Sequence, residues 1–304
     1  GRAPGARDRS MIPVMNIVAW GNVVPWAEQR QIEQDLIISR AIVAMFSDPF
    51  LVEQLRFRGG TALNKLHFPK PLRYSEDIDL VRTTAGPIGP VLDRVREVME
   101  PWLGKATFDQ SPVAPKLRFR TEAEAVLNGA PIRLKVEINT REIEAYDPPL
   151  SIPFSIQNPW FTGAANVATF SREEMLATKL RALLQRNKGR DLFDLDHALD
   201  VFENLDAQRI VACLARYLQA SGLRISRAEA QERMFAKLAN PEFFTAMRPL
   251  LPTDQAERLK ENSLKKAFER VVRELIDRMP GDPWVRADEM RQRFGLVGQT
   301  RSER

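Results

Sequence analysis

The chain is predicted to be an α+β protein, a mixed-sheet domain followed by a helical one, and three observations predict it. Apolar residues alternate with charged ones over Lys116 to Thr121 and over Ile132 to Ile138, the two-residue period of half-buried strands. A glycine pair, Gly59-Gly60, separates a short strand-like run from a helix-like one, as at a strand-to-helix turn. After Ala168 the apolar residues recur at three- and four-residue spacing, the helical period. The expected boundaries are a tail or leader segment at 1–24, the sheet domain at 25–165 and the helical domain at 166–304.

Composition narrows the function classes. With 304 residues, 44% hydrophobic and 28% charged, the chain is an ordinary globular sequence long enough for two cores. Its one cysteine, Cys213, excludes an intrachain disulfide, and with only His67 and His197 besides, no Cys/His zinc cluster can be assembled. No apolar run reaches membrane-spanning length, and Gly1 to Ser10 is basic without an apolar stretch, so a cytoplasmic protein is the simplest expectation. A net charge of +5 is compatible with a polyanionic partner such as tRNA.

Taken in order, Pro25 precedes a helix expected over Trp26 to Phe46, where Ile32, Leu36, Ile37, Ala41 and Met45 share a face, and Ser47-Asp48-Pro49 ends it. Leu55 to Arg58 reads as a strand and Thr61 to His67 as the helix after the glycines. Free N–H groups at such a turn bind phosphate oxygens, because glycine lets them approach closely and the helix dipole favours negative charge. Phe68 to Arg73 is a proline-rich loop whose Lys70 and Arg73 read either as solvated cations or, for Arg73, as a group steadying a triphosphate or an acceptor phosphate. Asp77 and Asp79 then fall in a strand with Ile78, Leu80 and Val81, so the two carboxylates face the same side. Paired hard oxygens of this kind suit Mg2+ or Mn2+, which completes its shell with waters and substrate phosphates. A solvated strand end is the other reading of the same residues.

Ile88 to Leu103 is an amphipathic helix broken at Pro101 or Gly104. Asn128-Gly129 is the turn signal between the two alternating strands. On the second strand Arg133, Lys135, Glu137 and Asn139 share the polar face, where Glu137 either adds a third carboxylate or pairs across the sheet with Arg118 or Arg120. Tyr146 to Trp160 reads as an irregular strand and connection. Ser171, with Glu174 three residues on, has the form of a capping box opening a helix whose buried stripe is Met175, Leu176, Leu180, Leu183 and Leu184. Arg172, Lys179 and Arg186 line up along that helix as a basic seam. The remainder reads as further helices with a basic tail from Arg286, and His67, His197 and Cys213 are taken as structural.

The order Gly59-Gly60-Thr61-Ala62-Leu63, then Arg73-Tyr74-Ser75, then Asp77-Ile78-Asp79-Leu80 resembles the nucleotidyltransferase toxins of the AbiEii/AbiGii abortive-infection type, which include the MenT toxins. Lys179-Leu180-Arg181-Ala182-Leu183 with Arg190-Asp191-Leu192-Phe193-Asp194 resembles the second motif of that family, and together the two motifs cover about half of the chain. The resemblance implies a DNA-polymerase-beta-like nucleotidyltransferase fold at 25–165, and a toxin of a type IV-like toxin–antitoxin system that moves a nucleotide from an NTP to a tRNA end with Mg2+ or Mn2+. It implies Asp77, Asp79 and Glu137 as metal ligands; Lys179 and Asp191 join these three as catalytic residues. Arg58, Gly59, Gly60, Thr61, Ser75 and Arg190 are the candidate nucleotide contacts, and an antitoxin protein is the expected partner. Without the family pattern, Lys179 reads as a snorkelling surface lysine and Asp191 as a helix cap. Phosphoryl transfer from the same cradle, a small-molecule acceptor, and a non-catalytic RNA- or partner-binding module remain open as alternatives.

Overall fold

The computed structural model describes residues 12–126 and 129–296. The basic segment Gly1 to Ser10, Asn128 of the turn signal and the end of the basic tail lie outside the described residues. The chain divides into two compact units, Gly1–Ser171 and Arg172–Arg304.

The first unit is built on helix α2 (Gln29–Phe46), preceded by α1 (Val14–Trp20) and followed by the short α3 (Leu51–Gln54). The leader expected over 1–24 is folded from residue 12: Ile12, Ile17, Trp20 and Val24 are buried, because Ile17 and Trp20 stack one turn apart against α2. Helix α2 starts at Gln29 rather than at Trp26, since Trp26 turns inward and Gln31 Oε1 accepts from the Glu28 N–H at the helix entrance. Asp35, 1% exposed within α2, is held by the indole N–H groups of Trp20 and Trp26, each at 2.9 Å. The Lys65 ammonium adds an ion pair at 2.9 Å, so this buried carboxylate is fully partnered.

Strand β1 (Leu55–Arg58) leads into α4 (Gly59–Ala62) and a π-helical turn over Leu63–His67. The remaining elements are β2 (Asp77–Arg82), α5 (Gly89–Leu103), β3 (Thr107–Asp109), β4 (Lys116–Thr121), β5 (Ile132–Asn139), β6 (Leu150–Asn158) and β7 (Phe161–Thr169). The seven strands form one mixed sheet in the order β3-β4-β5-β2-β1-β7-β6. β2 runs parallel to β5 and antiparallel to β1, and β1 meets β7 in parallel. Phe57, Ile78, Leu80, Leu117, Phe119, Leu134, Val136 and Ile138 are buried on one side, which leaves the alternate charged residues on the other. β3, a three-residue exposed edge, and β7 went unread in the sequence. Tyr146 to Trp160, read as an irregular strand and connection, holds a regular nine-residue strand that pairs with β7 along its whole length. Pro153 is tolerated there because β6 lies at the sheet edge.

The second unit is helical: α6 (Arg172–Gln185), α7 (Gly189–Val201), α8 (Ala207–Ala220), α9 (Arg227–Leu238), α10 (Pro241–Thr245), α11 (Thr253–Arg258), α12 (Glu261–Glu274) and α13 (Ala287–Arg293). α6 packs on α7 and α8, and α12 on α7. The expected stripe of α6 is buried, and Glu174 accepts the Tyr217 hydroxyl at 2.7 Å in the interior. The Ser171 hydroxyl donates to Asp147 at 2.7 Å. Gly189 opens α7 so close to the Phe243 carbonyl that a side chain there would collide with it.

Candidate active site

Strand geometry gathers the first group of charges. Asp77 stands opposite Lys135 and Asp79 opposite Glu137 across the parallel β2–β5 pair, while Arg58 stands opposite Asp79 across β1–β2 and Lys116 opposite Glu137 across β4–β5. All six share the polar face, because each is an even number of residues from the others on its own strand or directly opposite.

The glycine turn sits against this group. Gly59 has φ +89°, in the region that favours glycine, and a Cβ there would lie 2.6 Å from Asp79 Oδ2. A Cβ on Gly60 would run into the Arg73 guanidinium. The Thr61 hydroxyl lies 2.8 Å from Ser75 Oγ and donates to the Asp77 carbonyl, which fixes Ser75 and the start of β2 beside the turn. Asn64 accepts from the backbone N–H groups of Leu72 and Arg73 and donates to the Gly60 carbonyl, so the proline-rich loop is fastened to the helix after the glycines. Arg73, read from the sequence as a loop cation, is only 3% exposed and donates to the Tyr74 carbonyl at 3.0 Å. Its position under the turn makes it a support of the cradle. Arg58 pairs with Glu142 at 2.6 Å.

The electrostatics are those of crowded carboxylates. Burial pushes the Asp79 carboxyl above its ordinary range, and the charges of Asp77 and Glu137 push it further. The Lys135 ammonium lies among them, 3.2 Å from Asp77 Oδ2 and 3.8 Å from Glu137 Oε2. Its burial favours the neutral amine, but the charges of Asp77 and Asp79 outweigh that and hold its pKa above the ordinary lysine value. Glu137 also meets Lys116 at 3.5 Å, so its cross-strand partner is Lys116 and not Arg118 or Arg120. Alternation put Lys135 on this face in the sequence, but only the register with β2 reveals that it is the cation at the carboxylates.

Among the described residues, no three His, Cys, Asp or Glu side chains are gathered closely enough to hold a metal ion by themselves. Asp77 and Asp79 nevertheless fit one: they offer hard oxygens on one face at a turn with free N–H groups, and a cation already lies against them. The fit is to an ion that takes its other ligands from water and phosphate. Glu137, expected as a third ligand, stands opposite Asp79 and lies beside Lys116 and Lys135.

The second motif forms a separate cluster in the helical unit. Lys179 is 7% exposed, its ammonium 3.0 Å from Asp194 and 3.4 Å from Asp191, both fully buried. Arg186 grips Asp191 through two nitrogens at 2.8 and 2.9 Å. Burial works against the Asp191 anion, but the Arg186 hydrogen bonds and the Lys179 charge prevail and hold its pKa below the ordinary range. Lys179 is thus neither a snorkelling surface lysine nor one member of an exposed seam. Arg190 follows Gly189 in the first turn of α7, half-buried. No described helix is long and apolar enough to cross a membrane.

The family model described as nucleotidyl transferase AbiEii toxin, type IV toxin–antitoxin system, matches residues 40–274. No curated protein matches the chain. Among solved structures, the fold is similar to the nucleotidyltransferase toxin MenT4 from Mycobacterium tuberculosis H37Rv, with a TM-score of 0.56 and 18% identity over 96% of each chain. It is also similar to JHP933 from Helicobacter pylori, with a TM-score of 0.52 and 17% identity over 89% of this chain and 95% of that one. At such identities these structures speak for the fold, and the family match, which spans both motifs, speaks for the kind of enzyme. The chain belongs to the AbiEii family of nucleotidyltransferase toxins of type IV toxin–antitoxin systems.

Proposed function

We propose that the protein transfers an NMP from an NTP to an RNA acceptor, the 3′ end of a tRNA, and that this blocks translation until an antitoxin protein restrains it in the cytoplasm. The observation that carries the reading is the pair Asp77 and Asp79 on one face of β2, set against the Gly59-Gly60 turn. In this reading the N–H groups of Gly59 and Gly60 hold phosphate oxygens, with the hydroxyls of Thr61 and Ser75 beside them and Arg58 at the strand end. Mg2+ or Mn2+ bound by Asp77 and Asp79 would supply Lewis-acid charge to the triphosphate. Glu137 helps to draw the proton from the acceptor hydroxyl. The family pattern assigns Lys179 to nucleotide phosphates, Asp191 to its support and Arg190 to the nucleotide. Catalysis in this reading is by positioning and electrostatic stabilisation.

The test is incubation with each NTP, labelled at the α- or the γ-phosphate, with Mg2+ or Mn2+ and total RNA. Label from the α-position appearing in tRNA, and lost in Asp77→Asn, is the expected result. Transfer of γ-label without α-label would replace the reading with phosphoryl transfer. Label confined to a small molecule would remove the RNA acceptor.

A further inference from the structure

We propose that Arg120 and Arg133 hold the backbone phosphates of the RNA acceptor on the open face of the sheet, next to the carboxylates. The inference rests on the reading of an RNA acceptor and names the surface that receives it. Across the antiparallel β4–β5 pair, Arg120 stands directly opposite Arg133, and Arg118 directly opposite Lys135. Like charges in directly opposed positions destabilise a sheet. The neighbouring cations on this face each meet a carboxylate: Arg118 has Asp109 at 2.5 Å, Lys135 has Asp77 at 3.2 Å, Lys116 has Glu137 at 3.5 Å and Arg58 has Glu142 at 2.6 Å. Arg120 and Arg133 are both exposed, and among the described residues neither side chain has a hydrogen-bonding or ion-pair partner.

Their backbone is nonetheless held in place. The Gln34 carboxamide donates to the carbonyls of Arg133 at 3.0 Å and Glu76 at 3.4 Å, and the Arg30 guanidinium donates to the carbonyls of Ala130 and Pro131. Two uncompensated guanidinium groups therefore project from a fixed strand pair, which the fold itself does not require. Arg133 lies two residues before Lys135 on the same face, roughly 7 Å along the strand. An anion on the arginine pair would thus lie one step from the Asp77 and Asp79 corner, where the acceptor has to end. The planar fork of arginine matches phosphate oxygens. Phosphate contacts of this kind position a strand without reading its sequence.

The test measures binding of a labelled single-stranded RNA oligonucleotide and, separately, of NTP across a range of salt, for wild type and Arg120→Ser/Arg133→Ser. Loss of two phosphate contacts should lower the salt slope of RNA binding by about 1.4, at about 0.7 per contact on a single strand, with NTP binding unchanged. Arg120→Glu gives the second readout, since a carboxylate opposite Arg133 should hold or raise Tm while RNA binding falls. An unchanged slope and affinity in the double variant overturns the proposal, as does a lower Tm in Arg120→Glu with RNA binding intact. If the double variant loses affinity for polyglutamate and keeps it for RNA, the pair serves an acidic protein and the proposal falls. No RNA binding by wild type that still binds NTP would instead overturn the RNA acceptor itself.

Discussion

The backbone of Gly59 and the carboxylate of Asp79 occupy one corner of the sheet, so closely that a Cβ on residue 59 would lie 2.6 Å from Asp79 Oδ2. The turn that offers N–H groups and the strand that offers carboxylates are therefore a single unit, and disturbing either moves the other. Gly59→Ala should both strain the backbone at φ +89° and displace Asp79. The expected loss is about 1–3 kcal/mol of stability together with nucleotide transfer. Denaturant unfolding and the α-label assay measure the two, and a variant with wild-type values in both would separate the turn from the site.

Asp79 is expected to work against the metal-free fold. Its folded pKa is raised by burial and by the charges of Asp77 and Glu137, so the stability it allows is fully present below the unfolded value and is lost as pH rises through the folded value. Asp79→Asn should remove that loss. Without metal the variant should melt no lower than wild type, with an advantage that grows as pH rises, while transfer is abolished. Wild type should gain stability when Mg2+ or Mn2+ and NTP are added together, by mass action on the native state, and the variant should lose most of that gain. A variant that melts lower than wild type at neutral pH and still transfers nucleotide would make Asp79 structural.

Lys135 has the opposite sign. It is the cation among Asp77, Asp79 and Glu137, and Lys135→Met leaves three carboxylates facing one another. Metal-free Tm should fall. Added Mg2+ or Mn2+ should restore part of the loss, and should raise the variant's Tm by more than it raises that of wild type. Equal metal responses in the two proteins would show that no divalent ion shares the corner with Lys135.

Lys179 balances two carboxylates that have no exposure at all. Lys179→Met should cost about 3–5 kcal/mol, as expected when one partner of a buried ion-pair network is removed. In wild type, Asp191 contributes stability above its unfolded pKa, and this is lost as pH falls through its depressed folded value. The urea midpoint should therefore drop in acid, and should do so less steeply in Arg186→Gln, which lacks the hydrogen bonds that depress Asp191. An unchanged midpoint in Lys179→Met would mean that Asp191 and Asp194 do not depend on that charge.

By itself, the sequence determined which residues share a face. A strand repeats every two residues, so Asp77 and Asp79 had to point one way, as did Arg133, Lys135 and Glu137, and the glycine pair had to mark the turn because few other residues tolerate its backbone. The helical period likewise located the buried stripe of α6. Tertiary structure alone decided which charge meets which. That Lys135 and not a distant cation sits at Asp77 follows from the β2–β5 register, set between segments more than fifty residues apart. The inward turn of Lys179 depends on α7 presenting Asp191 and Asp194, and the burial of Arg73 on the Asn64 carboxamide drawing the proline-rich loop over the turn. The same holds for α1, whose short apolar run gains its helix from the α2 surface that buries Ile17 and Trp20. Local periodicity fixes the direction of a side chain, but the partner in that direction is chosen by packing and register between remote segments, where the free energy of pairing and burial is gained.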